Sequence, residues 1–271
     1  MSGFIELCGA PGVGKSSLAG ALAGRRLVTD RGRVVLIPAR DVTARPRVLL
    51  RPLGPLLRSA SVRGALASRP TLAHVTTRQS GAGGLAQAID VPSQGSSDLL
   101  DGLVTPGPDD PRSDADYRTE ALGWLESTLR TLRLAERLPA DVVALLDEGV
   151  VQRTVSVLGT TASTTEQMRL LERLPRPAAV VHLVVEPERI VRRAEARYRE
   201  GRTPRLHAGR SAADAVGLAL ADADAIARVT TLVERLGVDV LTVHVGGEED
   251  PQMLARRVVR GLHEIMIRSR D

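Results

Sequence analysis

The sequence is nearly empty of lysine: its 37 basic residues include one, Lys15, and the others are all arginine. A guanine-specific Asn-Lys-x-Asp motif therefore cannot exist anywhere but at Lys15, which excludes a GTP-type switch read through that motif. There is one cysteine, Cys8, so no internal disulfide can form, and a reducing cytoplasm suits the chain. Aromatic residues are 1% of the total, too few to build stacking platforms for single-stranded nucleic acid. No apolar run approaches the length of a bilayer span. The first residues have no signal-peptide layout, because Met1 to Leu7 runs directly into a glycine-rich motif. The expectation is a cytoplasmic protein without a membrane or nucleic-acid partner.

The net charge of +5 looks larger through the sequence pI of about 10.4. With so few lysine, tyrosine and cysteine side chains, little titrates between neutrality and the arginine range. The charge points only to anionic ligands in general. A length of 271 residues, 43% of them hydrophobic, fits one large domain or one core with an insertion.

Five short apolar runs read as strands buried on both faces: 4–8, 33–39, 141–146, 178–185 and 238–245. Helical spacing predicts a helix over about 16–27. Ser163 and Glu166 form a capping box for another, and Pro187, Ser211 and Pro251 each start one more. Strands alternating with helices predict an α/β domain with a parallel sheet and crossover helices. The segment 42–139 is too long for one crossover. Its part 80–114, rich in Gly, Ser and Pro, reads as loop, and a helix over 116–138 follows with Leu122, Leu125, Leu129 and Leu132 in a stripe. The whole chain, 1–271, is read as one domain with this insertion on the acceptor side of the sheet's carboxyl edge.

The first strand leads into Gly9-Ala10-Pro11-Gly12-Val13-Gly14-Lys15-Ser16-Ser17, a complete match to G-x-x-x-x-G-K-[ST]. Glycines let successive N–H groups turn inward on phosphate oxygens. A helix N-terminus adds partial positive charge, Lys15 reaches the terminal phosphates, and the Ser16 hydroxyl suits magnesium. The single lysine stands at the position where a compact ammonium is needed and a guanidinium fits poorly. ATP with Mg2+ is the expected ligand.

Asp147-Glu148 ends the third apolar run, the place for an acidic group facing magnesium; Asp147 is the expected second metal partner and Glu148 an acceptor-orienting group. Arg40-Asp41 ends the second run on the same edge, where ligands of open parallel sheets bind, and Asp41 there suits a general base. Seven arginines crowd 189–205; Arg193, Arg197 and Arg202 are the candidates for phosphate contacts in a closing lid over about 187–210. Tyr117 and Trp124 share a helix and read as core, stacking of an acceptor ring being the other reading. Cys8 reads as a buried structural thiol.

With GAPGVGKSS after the first strand, Arg40-Asp41 after the second, LLDEG at the third and the arginine-rich stretch after the fourth, the chain resembles the P-loop kinases of small molecules, the nucleoside, nucleotide and shikimate kinases. The resemblance implies a three-layer P-loop NTPase fold, a five-stranded parallel sheet of order 2-3-1-4-5, an arginine-bearing lid, and ATP–magnesium as donor. It also implies adenine packing near Gly246-Gly247. Asp147 to Arg153 is similar to the third-strand motif of thymidylate-kinase-like members, which puts Arg153 with Arg40, Asp41 and Glu148 on the acceptor side. An aspartate after the second strand is similar to shikimate kinases and antibiotic-phosphorylating relatives.

The expected function is an ATP-dependent phosphotransferase acting on a nucleoside, nucleotide or other hydroxyl-bearing metabolite. The competing reading is an ATPase or nucleotide switch acting through a protein partner. The sequence leaves the oligomeric state open, a homodimer included.

Overall fold

A computed structural model of the chain describes residues 3–29, 32–39, 110–139, 141–201, 211–246 and 249–268. Six strands are present among them: β1 (Phe4–Gly9), β2 (Arg26–Thr29), β3 (Gly32–Pro38), β4 (Val142–Leu146), β5 (Ala179–Val184) and β6 (Asp239–His244). The helices are α1 (Lys15–Leu22), α2 (Ala115–Ala135), α3 (Val150–Leu158), α4 (Thr164–Leu171), α5 (Pro187–Arg199), α6 (Ala212–Arg235) and α7 (Pro251–Arg268). They assemble as an α/β structure on one sheet of order β2-β3-β4-β1-β5-β6.

Strand number and order differ from the all-parallel 2-3-1-4-5 expectation. The added strand is β2, in a segment expected to be the end of the first helix. That helix stops at Leu22: Ala23 turns extended and Gly24 takes a φ of 73°. Beyond it Arg26 is exposed and Leu27 buried, a period-two pattern, and β2 pairs antiparallel with β3 through Leu27–Val34 and Arg26–Val35. The sheet is therefore mixed, and the other five strands run parallel in the succession β3-β4-β1-β5-β6.

β1 and β4 are buried along their whole length, as strands covered on both faces must be. Ile5 and Leu7 of β1 pack on one face against Leu18 and Leu22 of α1 and Val258 and Leu262 of α7. Phe4 and Cys8 point to the opposite face, covered by α2 and α3 around Leu125, Leu132 and Leu158 and by α6 around Ile226 and Val229. In α2 the buried stripe is Ala121, Leu125, Thr128, Leu132 and Ala135, with Leu122 and Leu129 on its flanks. Ser163 and Ser211 both cap their helices in reciprocal capping boxes.

Helix α3 was not among the expected elements. The described end of the segment expected as loop, Pro111–Ser113, is a 3-10 turn, and the neighbouring Asp110 and Arg112 are both buried. Among the described residues no helix is long and apolar enough to cross a membrane.

Candidate functional site

The carboxyl ends of β1, β4 and β5 place the glycine loop, Glu148 and α5 around one cavity of about 870 Å³. Gly9, Gly12 and Gly14 hold φ values of 146°, 84° and 103°, a region closed to most side chains. At Gly9 an added Cβ would also meet the Leu183 carbonyl oxygen at 2.5 Å. Ala10 and Val13 are buried in the core and anchor the loop, and Val13 N–H donates to the Ala10 carbonyl at 3.1 Å. Pro11, Gly12, Gly14, Lys15, Ser16 and Ser17 line the cavity.

Helix α1 begins at Lys15 with Gly14 as its cap, no side-chain cap bond, and no acidic residue in its first turn. Its leading N–H groups lack intrahelical partners and carry the positive end of the helix dipole. The Lys15 side chain is 8% exposed, and its Nζ donates to the carbonyls of Gly9 at 2.8 Å and Ala10 at 3.2 Å. Burial lowers its pKa, with Glu148 and Asp147 acting the other way.

Ser16 Oγ donates to Asp147 Oδ2 at 2.9 Å. This joins the first residue pair of the expected metal site, a hydroxyl and a carboxylate, both oxygen donors that a hard cation prefers. Among the described residues no group of three or more His, Cys, Asp or Glu can hold a metal. Two protein oxygens with substrate phosphates and water suit magnesium, which binds through few protein ligands.

Glu6 was assigned no role from the sequence. It is fully buried on β1, and its carboxylate accepts N–H bonds from Gly149, Val151 and Gln152 at 3.1–3.2 Å, which caps α3. Burial raises its pKa to about 7; the three main-chain donors and then Arg153 pull it back down. Gly149 makes room for it, since a Cβ there would lie 2.6 Å from Glu6 Cδ. The signal was legible: one acid amid Phe-Ile-Glu-Leu-Cys. Two residues on, Cys8 is fully buried, 3.5 Å from the Thr230 hydroxyl, and its thiol is pushed up to about 12 by burial.

Helix α5 brings its arginines to the loop. Arg193 donates to the Gly12 carbonyl at 2.5 Å, and the Arg197 guanidinium lies against Gly12, 3.3 Å from where a Cβ would sit. Arg189 donates to the Val245 carbonyl at 3.1 Å, beyond β6 and next to Gly246. Arg202 and the rest of the expected lid to 210 lie outside the described residues, as does Gly247.

Of the residues expected on the acceptor side, Glu148 Oε2 pairs with Arg153 at 2.9 Å, and Arg153 also donates to Thr128 Oγ1 and covers the Trp124 ring at 5.6 Å. Trp124 meets Tyr117 edge to face, and both line the cavity while packing partly on the core. Trp124, Glu148 and Arg153 separate this cavity from a smaller one of about 260 Å³ near Ala39 and Asp147. Arg40 and Asp41 lie outside the described residues, with nearly all of the insertion up to 109.

Arg112 and Asp222 also line the cavity. Arg112 pairs with Asp110 at 3.3 Å and with Asp222 of α6, and all three are buried. Arg112 sat in a segment read as loop, and Asp222 interrupts the apolar face of α6 between Ala219 and Ala225.

Compared with known proteins, the chain matches no family model and no curated sequence.

Proposed function

We propose that the chain is an ATP-dependent phosphotransferase of the P-loop kinase type, which transfers the terminal phosphoryl group to a hydroxyl of a small molecule. The observation that carries this reading is the Ser16–Asp147 hydrogen bond beside a glycine loop whose lysine is folded onto it. A motif match alone gives the loop. The carboxylate supplied 131 residues later is what a triphosphate–metal site needs in addition.

Ser16 and Asp147 would hold the magnesium ion, which when bound neutralises charge on the phosphates and orients them. The other roles belong to the chain. The loop amides and the N-terminus of α1 receive the phosphates of ATP. Lys15 exchanges its two carbonyl partners for phosphate oxygens, and Arg193 and Arg197 add guanidinium charge from α5. The bond between the terminal phosphorus and the bridging oxygen breaks, its electron pair leaving with ADP, while the acceptor oxygen bonds to phosphorus. Glu148, lining the cavity next to the loop, takes the hydroxyl proton among the described residues.

ATP consumption followed with candidate nucleosides, nucleotides, sugars and amino sugars tests this reading. A phosphorylated acceptor formed with stoichiometric ADP is the expected result. ATP hydrolysis without any phosphorylated product would contradict it.

A further inference from the structure

Glu6 is a fully buried ionisable group with no part in the reaction as proposed. It stands on β1 between Phe4 and Cys8's face and the start of α3, where its Oε1 accepts N–H bonds from Gly149, Val151 and Gln152 at 3.1–3.2 Å. Its Oε2 accepts from Val151 at 3.1 Å. Taking a carboxylate out of water is costly, and a full set of donors offsets that loss. Capping a helix does not by itself call for such an arrangement. Ser163, Ser211 and Asp114 each cap a helix from the adjoining residue. α3 has Gly149 at its cap position and no side-chain cap of its own, so its leading N–H groups are satisfied from another element. A local cap fixes a helix to its own preceding residue. A cap from β1 fixes it to the strand that carries the glycine loop.

The turn held in this way carries the acid pair. Glu6 stands beside Leu146 in the sheet, and Leu146 is the last residue of β4. Strand pairing holds the chain to that point, and Gly149 is held by the Glu6 carboxylate. Asp147 and Glu148 lie between these two anchors. From there Asp147 meets Ser16 Oγ at 2.9 Å, and Glu148 meets Arg153 of α3, also at 2.9 Å. The approach is close enough to need glycine: a Cβ at Gly149 would lie 2.6 Å from Glu6 Cδ.

We infer, resting on the metal role that the kinase reading gives Ser16 and Asp147, that Glu6 is a positioning residue. It keeps Asp147 at Ser16 by tying the start of α3 to β1, and so sets how well the site takes magnesium. Its own carboxylate touches neither metal nor nucleotide. Replacing residues that orient metal ligands from behind typically changes metal affinity or activity by about 10- to 100-fold. Glutamine keeps the shape of Glu6 but offers one oxygen in place of two, and its NH2 would face main-chain donors.

The test is calorimetric titration of the full chain with ATP, with and without magnesium, at pH 8, above the Glu6 pKa of about 7. The ratio of the two affinities reads the magnesium effect without any acceptor. Glu6→Gln is expected to reduce that ratio by about tenfold or more, with magnesium-free ATP affinity changing less than about threefold. Turnover on an accepted compound should fall by the same order. Val233→Ala, a core truncation in α6, should lower stability and leave the ratio at its parental size. Should Glu6→Gln not fold, Gly149→Ala presses on the same contact from the other side and is expected to lose the magnesium effect equally. A folded variant with the parental ratio, or an equal loss in Val233→Ala, would overturn the inference and leave the kinase reading intact. A ratio lost in Glu6→Gln, with no phosphorylated product from any acceptor offered to the parent, would support the positioning role and overturn the kinase reading alone. No binding of ATP by the parent would overturn both.

Discussion

Ser16 and Asp147 come from opposite halves of the chain, yet the hydroxyl of one donates to the carboxylate of the other at 2.9 Å. Asp147 sits at the end of fully buried β4, and Ser16 at the start of α1 after β1; these two strands are parallel neighbours in the sheet. Strand register therefore decides that the two oxygens meet. Asp147→Asn keeps the shape and removes the charge. Turnover with magnesium should fall about 10²-fold or more, with magnesium-free nucleotide affinity changing only a few-fold. Titrations with and without magnesium check this, and an equal loss in both would make Asp147 a structural residue.

Glu6 should leave a signature in the pH dependence of stability. Its folded pKa of about 7 lies above the usual 4.5, because burial outweighs the N–H groups of Gly149, Val151 and Gln152 and the charge of Arg153. Folding then takes up a proton between those values. The stabilising contribution is full below 4.5, is lost as pH rises to about 7, and is flat above. The window corresponds to roughly 3 kcal/mol as an upper figure. Glu6→Gln, compared with the parent by chemical denaturation from pH 4.5 to 8, should remove this slope. An unchanged slope would show that Glu6 does not titrate there.

Much of the fold was legible because buried parallel strands announce themselves as apolar runs, and Gly9 to Ser16 is a motif whose spacing is its mechanism. Ser163, Ser211 and Pro187 gave helix starts through local capping chemistry. What was missed depends on tertiary context. β2 is four residues long and shares its segment with the tail of a helical pattern. α3 begins at Gly149 without a side-chain cap of its own; its cap is Glu6, 143 residues away, which no local window can see. Arg112 and Asp222 lie 110 residues apart, and only the folded chain brings them together in a buried pair.

Two glycines separate loop chemistry from helix placement. Gly9→Ala puts a Cβ 2.5 Å from the Leu183 carbonyl oxygen at a φ of 146°, so it should cost more than about 1–3 kcal/mol and lower the melting temperature clearly. Gly149→Ala drives a Cβ into the Glu6 carboxylate and should shift the start of α3, lowering turnover as well as stability. Thermal melts with parallel rate measurements check both. A Gly149→Ala protein of parental stability and rate would mean that Glu6 moves freely.

The claim beneath all of this is that the glycine loop with Lys15 grips a triphosphate. Calorimetric titration of the full chain with magnesium and ATP, beside Lys15→Ala, tests it directly. The parent should bind with a Kd well below about 1 mM, and the variant, folded by its melting curve, should show affinity reduced about 10²-fold or more. No heat of binding by the parent at millimolar ATP would contradict the account.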